Sequence, residues 1–441
     1  MSVVLPKELA YQPSLASLPS ETLNNSIIVT PSNGGSFNEN SIIQFDIPAS
    51  GFLDPATLYL RFNMNIIQAT AIAYLKGTPG ATPFFKLEVL FGSQVVESIT
   101  NYNMLYNMIC NLQMNIAQKV GSPNLGYFDP CVTATASATA PTFSNANGCD
   151  IPVTATPGKK YMFGIPLSCL LSGAEHLIPL FAMPNVRIQL TVDTLANMVI
   201  NSTGASTVGL PGLLSNLELC YDCIQFGAGV EQMVRSMGDK VYIKSNSWST
   251  MSQTLPTAVS GTNELIFNSR YASIRSLFTN FAGNTVAKCV NGNFDSVDLT
   301  SNNGDYQYYV AGVAYPQRPI STVQNKMGGL CELKMAINGG LHSLQAQNMS
   351  ITPAEYGYTD ASTATTATSP EMPGKYWLGV NCEKFSTAGA LLTGISTQNS
   401  AVSLRMNIGT ATTQAYNITL IVLYDALIEV DFLSRNASVK Q

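Results

Sequence analysis

Val186-Arg187-Ile188-Gln189-Leu190-Thr191-Val192-Asp193 alternates apolar and polar residues without a break. In an extended chain Val186, Ile188, Leu190 and Val192 therefore share one face, and their polar neighbours share the other. This is a strand with one buried side. Val402-Ser403-Leu404-Arg405-Met406-Asn407-Ile408 repeats the alternation at an offset of 216 residues (402 − 186). Upstream, Pro157-Gly158-Lys159-Lys160-Tyr161-Met162-Phe163-Gly164 is echoed by Pro373-Gly374-Lys375-Tyr376-Trp377-Leu378-Gly379 at the same offset (373 − 157). Downstream, Leu219-Cys220-Tyr221-Asp222 returns as Val422-Leu423-Tyr424-Asp425, now 203 residues on (424 − 221). The first copy thus carries about thirteen extra residues, and the Ser/Gly/Pro-rich stretch 201–215 is expected to hold them as a loop.

Earlier landmarks keep the same order. Ile43-Gln44-Phe45-Asp46 aligns with Leu265-Ile266-Phe267-Asn268, residues 58–62 with 276–281, and residues 85–97 with 306–320. Each copy then has a segment of helical character, 102–117 and 325–336, rich in Met, Leu and Asn. Both copies also place a low-complexity loop before the Pro-Gly-Lys strand, residues 133–148 and 359–372. These loops are either loose insertions or ordered protrusions packed on neighbouring copies, and their matched placement favours the second reading. One module has been duplicated.

Each copy holds about eight short strand-like runs separated by Gly, Pro, Asn and Ser. Eight strands with long loops at one end fit a jelly-roll sandwich better than an up-and-down barrel. The fold class expected is all-β, two tandem eight-stranded jelly-roll sandwiches with short helices in loops. The expected limits are an N-terminal arm over 1–39, a first jelly roll over 40–225, a linker over 226–237, a second jelly roll over 238–432 and a tail over 433–441.

Charged residues make up 11% of the 441, against roughly 25% in an average soluble protein. Such a composition suits a surface committed to neighbouring subunits, where long charged side chains would be desolvated at a cost. It equally suits a carbohydrate-binding β-protein. The net charge is −5 and no basic run occurs, which argues against direct binding to nucleic acid. The first residues lack the charged and apolar regions of a signal peptide. No window is apolar enough for a membrane-spanning helix, and the apolar stretch 418–432 is expected to be a buried strand.

Catalytic chemistry finds little purchase. Nucleophilic catalysis wants a Ser or Cys with a histidine in reach, and the chain has only His176 and His342, neither expected to act as a base. Nine cysteines lie scattered, with one close pair, Cys220 and Cys223. Without a second such pair or nearby histidines they are expected to be buried free thiols in a reducing compartment. The glycosylation sequons at Asn24, Asn201, Asn348, Asn417 and Asn436 are expected products of an Asn/Ser/Thr-rich sequence. Gly34-Gly35 and Gly339-Gly340 read as turns, and there is no phosphate loop, dinucleotide fingerprint or HExxH. A glycosidase would need two positioned carboxylates, which the sequence does not single out. No catalytic, cofactor-binding or metal-binding residue is assigned, no cofactor is expected, and the chain is not expected to be an enzyme.

With these residues laid out, a resemblance to a known family emerges. Ile47-Pro48-Ala49-Ser50-Gly51-Phe52-Leu53-Asp54-Pro55 followed by the strand over 58–62 carries it in the first module. Phe163-Gly164-Ile165-Pro166-Leu167 and Leu177-Ile178-Pro179-Leu180 add to it. In the second module Leu378-Gly379-Val380-Asn381 and Tyr424-Asp425-Ala426-Leu427-Ile428-Glu429-Val430-Asp431 do the same. The chain resembles the double jelly-roll major capsid proteins of the adenovirus and large-DNA-virus lineage, most of all those of polinton-like viruses and virophages.

The resemblance implies a structural protein that forms pseudo-hexameric homotrimeric capsomers tiling an icosahedral double-stranded DNA virus shell. The implied partners are neighbouring capsomers, penton proteins and minor capsid proteins. Location in the virion and assembly inside the host cell follow from it, and an internal membrane is compatible with it but not implied. Residues 1–37 and 434–441 are then either disordered tails or arms exchanged between capsomers. The alternative function is that of a carbohydrate-binding or adhesive β-sandwich.

Overall fold

The computed structural model describes residues 23–68, 73–75, 77–78, 80–115, 117–118, 122, 134–137, 140–143, 150–151, 160–201, 207–226 and 228–236. In the second half it describes 238–283, 296, 299, 304–321, 326–338, 349, 351, 356, 375–383, 392–412 and 415–441. In the first module the main strands are β1 (Leu23–Val29), β2 (Ile42–Ile47), β3 (Tyr59–Gln68), β4 (Phe84–Phe91) and β5 (Gln94–Thr100). Helix α1 (Tyr102–Gln113) comes next, then β6 (Lys160–Pro166), β7 (Val186–Val192) and β8 (Thr207–Gln225). One sheet runs β1-β8-β3-β6 and the other β2-β7-β4-β5, with antiparallel pairing throughout.

After helix α2 (Ala228–Ser236) the order starts again. The second module contains β9 (Lys240–Leu255), β10 (Gly261–Phe267), β11 (Ile274–Gly283), β12 (Asp305–Val310) and β13 (Val313–Ser321). Helix α3 (Met327–Asn338) follows, then β14 (Leu378–Asn381), β15 (Val402–Ile408), β16 (Tyr416–Asp431) and β17 (Asn436–Lys440). Its sheets run β9-β16-β11-β14 and β10-β15-β12-β13, with β17 added beside the end of β16. Strand for strand, this is the order of the first module.

The register makes the equivalence residue-specific. Ile188 faces Val89 as Leu404 faces Tyr308, preserving the 216 offset in β7 and β15. Ile165 faces Leu60 as Val380 faces Leu277. Tyr221 and Tyr424 occupy matching places on β8 and β16. The alternation that marked β7 becomes strict burial of Val186, Ile188, Leu190 and Val192 with half-exposed residues between. Each such apolar side chain contributes roughly 1.5–3 kcal/mol on full burial. The two sheets of a module meet through contacts such as the edge-to-face pair Phe62–Phe84, 5.2 Å between centroids. In the second module Thr279 and the Tyr308 hydroxyl bridge the sheets at 2.7 Å.

Several expectations need correction. Residues 23–29, expected within an N-terminal arm, form β1 and pair along the length of residues 219–225. The segment is rich in Asn and Ser and mostly exposed, so it lacked the alternating signature. The expected tail contains β17, whose Lys440 ammonium meets Glu429 at 2.5 Å. Lys240 and Lys440 together hold the Glu429 carboxyl below its usual range. The expected linker contains helix α2, and part of the expected loop over 201–215 is strand, since β8 begins at Thr207 and is bulged between Gly209 and Leu214.

The alignment of Ile43 with Leu265 is displaced by two residues. Phe45 faces Ile188 and Leu265 faces Leu404, so Phe45 is the partner of Leu265. A two-residue slip keeps every side chain on its original face, and alternation alone is blind to it. The loop over 359–372 and the Pro-Gly pairs at 157–158 and 373–374 lie outside the described residues. Within the earlier loop, 134–137 and 140–143 pair as a short hairpin.

Helix α3 lies against β14 at Gly379, where a Cβ would come within 2.9 Å of the Leu333 Cα and 3.2 Å of the Ala336 Cβ. Backbone on one side and a rigid methyl on the other cannot yield cheaply. Gly379→Ala is therefore expected to destabilise the chain by about 1–3 kcal/mol, read as a lower midpoint in urea denaturation.

Candidate functional site: the junction between the modules

The two modules touch along β5 of the first and β9 of the second, at the flank where one sandwich ends and the next begins. Thr100 and Thr250 hydroxyls lie 2.9 Å apart, and Thr250 also donates to the Thr100 carbonyl at 2.6 Å. Asn101 reaches Ser252 at 3.2 Å. Backbone joins in, with Asn246 N–H donating to the Gly173 carbonyl and Glu175 N–H to that of Lys244. Gly173 has no room for a side chain, because a Cβ there would run into the Asn246 carbonyl. Phe181 stacks on Phe432 at 6.2 Å, and the Gln441 amide donates to the Val96 carbonyl at 2.7 Å.

Glu97, on β5, sits at the centre of this contact and is 3% exposed. Its carboxyl accepts from the Leu170 N–H at 2.8 and 3.0 Å and from the Ser247 hydroxyl across the junction. The Leu170 carbonyl accepts in turn from Ser245 at 2.5 Å, so one acid and the backbone of one residue clamp strands of different modules. Burial pushes the Glu97 carboxyl up to about 7, outweighing the lowering effect of its hydrogen bonds. Tyr102, Cys169, Tyr271 and Tyr424 face it, and a charge on Glu97 would disfavour their ionisation.

Beside the contact runs a cleft of about 750 Å³ whose walls include Leu58, Tyr106 and Cys169 from the first module and Trp248, Arg275 and Leu423 from the second. At its Arg275 end, Glu383 pairs with the guanidinium at 2.6 Å, and Asp425 lies 3.9 Å away. These two carboxylates are brought together, but Asp425 is 1% exposed and accepts from Ser273 at 2.6 Å and from the Thr393 N–H at 3.0 Å. They fasten the loop before β15 to β11 and β16 instead of presenting an open acid–base pair.

The residues weighed from sequence fall elsewhere. His176 is exposed in the loop between β6 and β7, and His342 lies outside the described residues. Cys220 and Cys223 are both free thiols, three positions apart on β8 and so on opposite faces. The Cys223 thiol reaches the Ser50 carbonyl at 3.3 Å, while that of Cys220 lies 3.9 Å from the Glu218 carbonyl. Burial pushes the thiols of Cys169, Cys223 and Cys382 up, away from nucleophilic thiolate chemistry. Among the described residues no group of three or more His, Cys, Asp or Glu side chains could hold a metal. Sequence reasoning missed Glu97, because nothing in Val95-Val96-Glu97-Ser98 distinguishes an acid buried in a contact from one facing water.

The junction gives a signed pH dependence. The Glu97 carboxyl is raised in the folded chain from an ordinary value of 4.5 to about 7, so between those values the folded state binds a proton that the unfolded state lacks. Stability is then greatest below the lower value, falls as pH rises through the window and levels off above it. Urea midpoints of the native chain should fall between about pH 5 and about pH 7.5. Glu97→Gln, which keeps an acceptor for Leu170, should flatten that part of the profile.

No family model matches the chain, and no curated protein matches it. Solved structures do. The Faustovirus major capsid protein aligns with a TM-score of 0.63 at 9% identity, over 97% of this chain and 93% of its own. PBCV-1 VP54, as fitted into a reconstruction of the virophage Sputnik, aligns with a TM-score of 0.62 at 10% identity, over 98% and 99%. The mavirus major capsid protein aligns at 0.53 and 11% identity, over 100% and 95%. At such identities the likeness lies in the path of the backbone, and by that path the chain has the fold of these proteins, a double jelly roll.

Proposed function

We propose that this chain is the major capsid protein of an icosahedral double-stranded DNA virus or virophage. It assembles as a homotrimer in which six sandwiches form a pseudo-hexameric capsomer. The observation that carries the reading is that the likeness to capsid proteins spans nearly the whole of both chains. A fold shared with many functions would not by itself suffice. Here it joins a chain with 11% charged residues and a buried, hydrogen-bonded contact between its halves.

The same reading covers the finer points. The units of the fold are residues 23–226 and 238–441, joined through α2. The chain works as a shell component and not as an enzyme, located in the virion after assembly in the host cell, with penton and minor capsid proteins as further neighbours. Short polar side chains dominate the surface because most of it meets other copies.

Native mass spectrometry and negative-stain imaging of the purified chain test this directly. The expected species is a trimer of three 47.2 kDa chains with a hexagonal outline. A stable monomer that does not assemble would contradict the proposal.

A further inference from the structure

The cleft beside the junction encloses about 750 Å³, within the roughly 300–1,000 Å³ range of small-molecule sites, which favour places where two domains meet. One wall is a helix face. Tyr106, Ile109, Cys110 and Gln113 line the cleft from α1 at successive helical spacings, which puts them on a single stripe. The facing wall is sheet, where Trp248 on β9 is in register with Leu423 on β16 and both line the cleft. Ile109 and Leu423 are covered only in part, so each wall leaves apolar surface open to an occupant.

Two polar features select the head group of that occupant. Asn246 also lines the cleft, two positions before Trp248 and so on the same face of β9. Its side-chain carbonyl is shut off from water and, among the described residues, accepts no hydrogen bond. A buried acceptor without a donor is costly, and a ligand hydroxyl would satisfy it. Arg275 is the one charged residue lining the cleft among the described residues. It is already engaged by Glu383 at 2.6 Å, with Asp425 at 3.9 Å. Two carboxyl groups against one guanidinium disfavour a further anion at that end.

We infer that the cleft binds a neutral single-chain amphiphile of the monoacylglycerol class. The acyl tail lies between the α1 stripe and the Trp248–Leu423 pair, and a glycerol hydroxyl donates to Asn246. A free fatty acid has the same tail but the wrong charge. The site is built within one chain, so it goes beyond the capsomer reading and does not depend on it.

Tryptophan quenching tests the assignment. The chain has two tryptophans; Trp248 lines the cleft, whereas Trp377 does not and is 0% exposed. A monoacylglycerol brominated on its acyl chain should quench Trp248 emission saturably, below the concentration at which it forms micelles. Trp248→Phe should lose the quench while the same ligand still raises Tm. Asn246→Leu should weaken binding roughly tenfold through loss of one hydrogen bond, with an unchanged circular dichroism spectrum. The fatty acid of the same chain, at about pH 8 where it is ionised, should bind roughly tenfold more weakly or worse. No saturable quench in the unaltered chain, or an equal quench in Trp248→Phe, would overturn the site. Equal affinity for the two head groups, or full affinity in Asn246→Leu, would overturn the ligand class.

Discussion

A β-sandwich has two flanks at which the sheets simply stop, and there the outermost strands keep half of their backbone donors and acceptors unpaired. In this chain one flank of the first module and the opposite flank of the second cover each other. Glu97, Ser247 and the Leu170 peptide lock the contact. Everything about how the modules sit relative to each other follows from that contact. Its backbone bonds between residues 173 and 246 and between 244 and 175 fix the register, and Gly173 leaves room for the Asn246 carbonyl where a side chain would collide with it.

The choice of a carboxylic acid at the centre has a cost. A buried carboxyl without a cation must either stay protonated or hold its charge on hydrogen bonds alone. Glu97 meets a peptide N–H and a hydroxyl, and burial still wins, which makes the junction respond to pH. A hydrophobic residue would pack as well, but it would not specify the Ser247 and Leu170 partners. The second module does not repeat the acid, since on β13 Arg318 stands two positions before Ile320 where on β5 Glu97 stands two before Ile99.

Much of the fold was legible in the sequence because duplication supplies its own control. The alternation over residues 186–192 and 402–408 and the tyrosines at 221 and 424 landed on equivalent strands of equivalent sheets. What failed had a physical reason in each case. Strand β1 is made of Leu23-Asn24-Asn25-Ser26-Ile27-Ile28-Val29, whose exposed polar half hides its pairing. The alignment of β2 with β10 was misplaced by two residues because a period-two pattern repeats under such a slip. The junction was illegible altogether. Burial of Glu97 depends on a strand about 150 residues away, and single-sequence patterns report local faces, not which module covers them.

The central claim is that the chain is one module used twice, its two copies locked flank to flank at Glu97. A cryo-electron microscopy reconstruction of the purified protein measures it directly. The account predicts the same strand order in both modules, with β5 against β9 and Glu97 enclosed between them. Different strand orders, or a Glu97 open to water between separated modules, would contradict it.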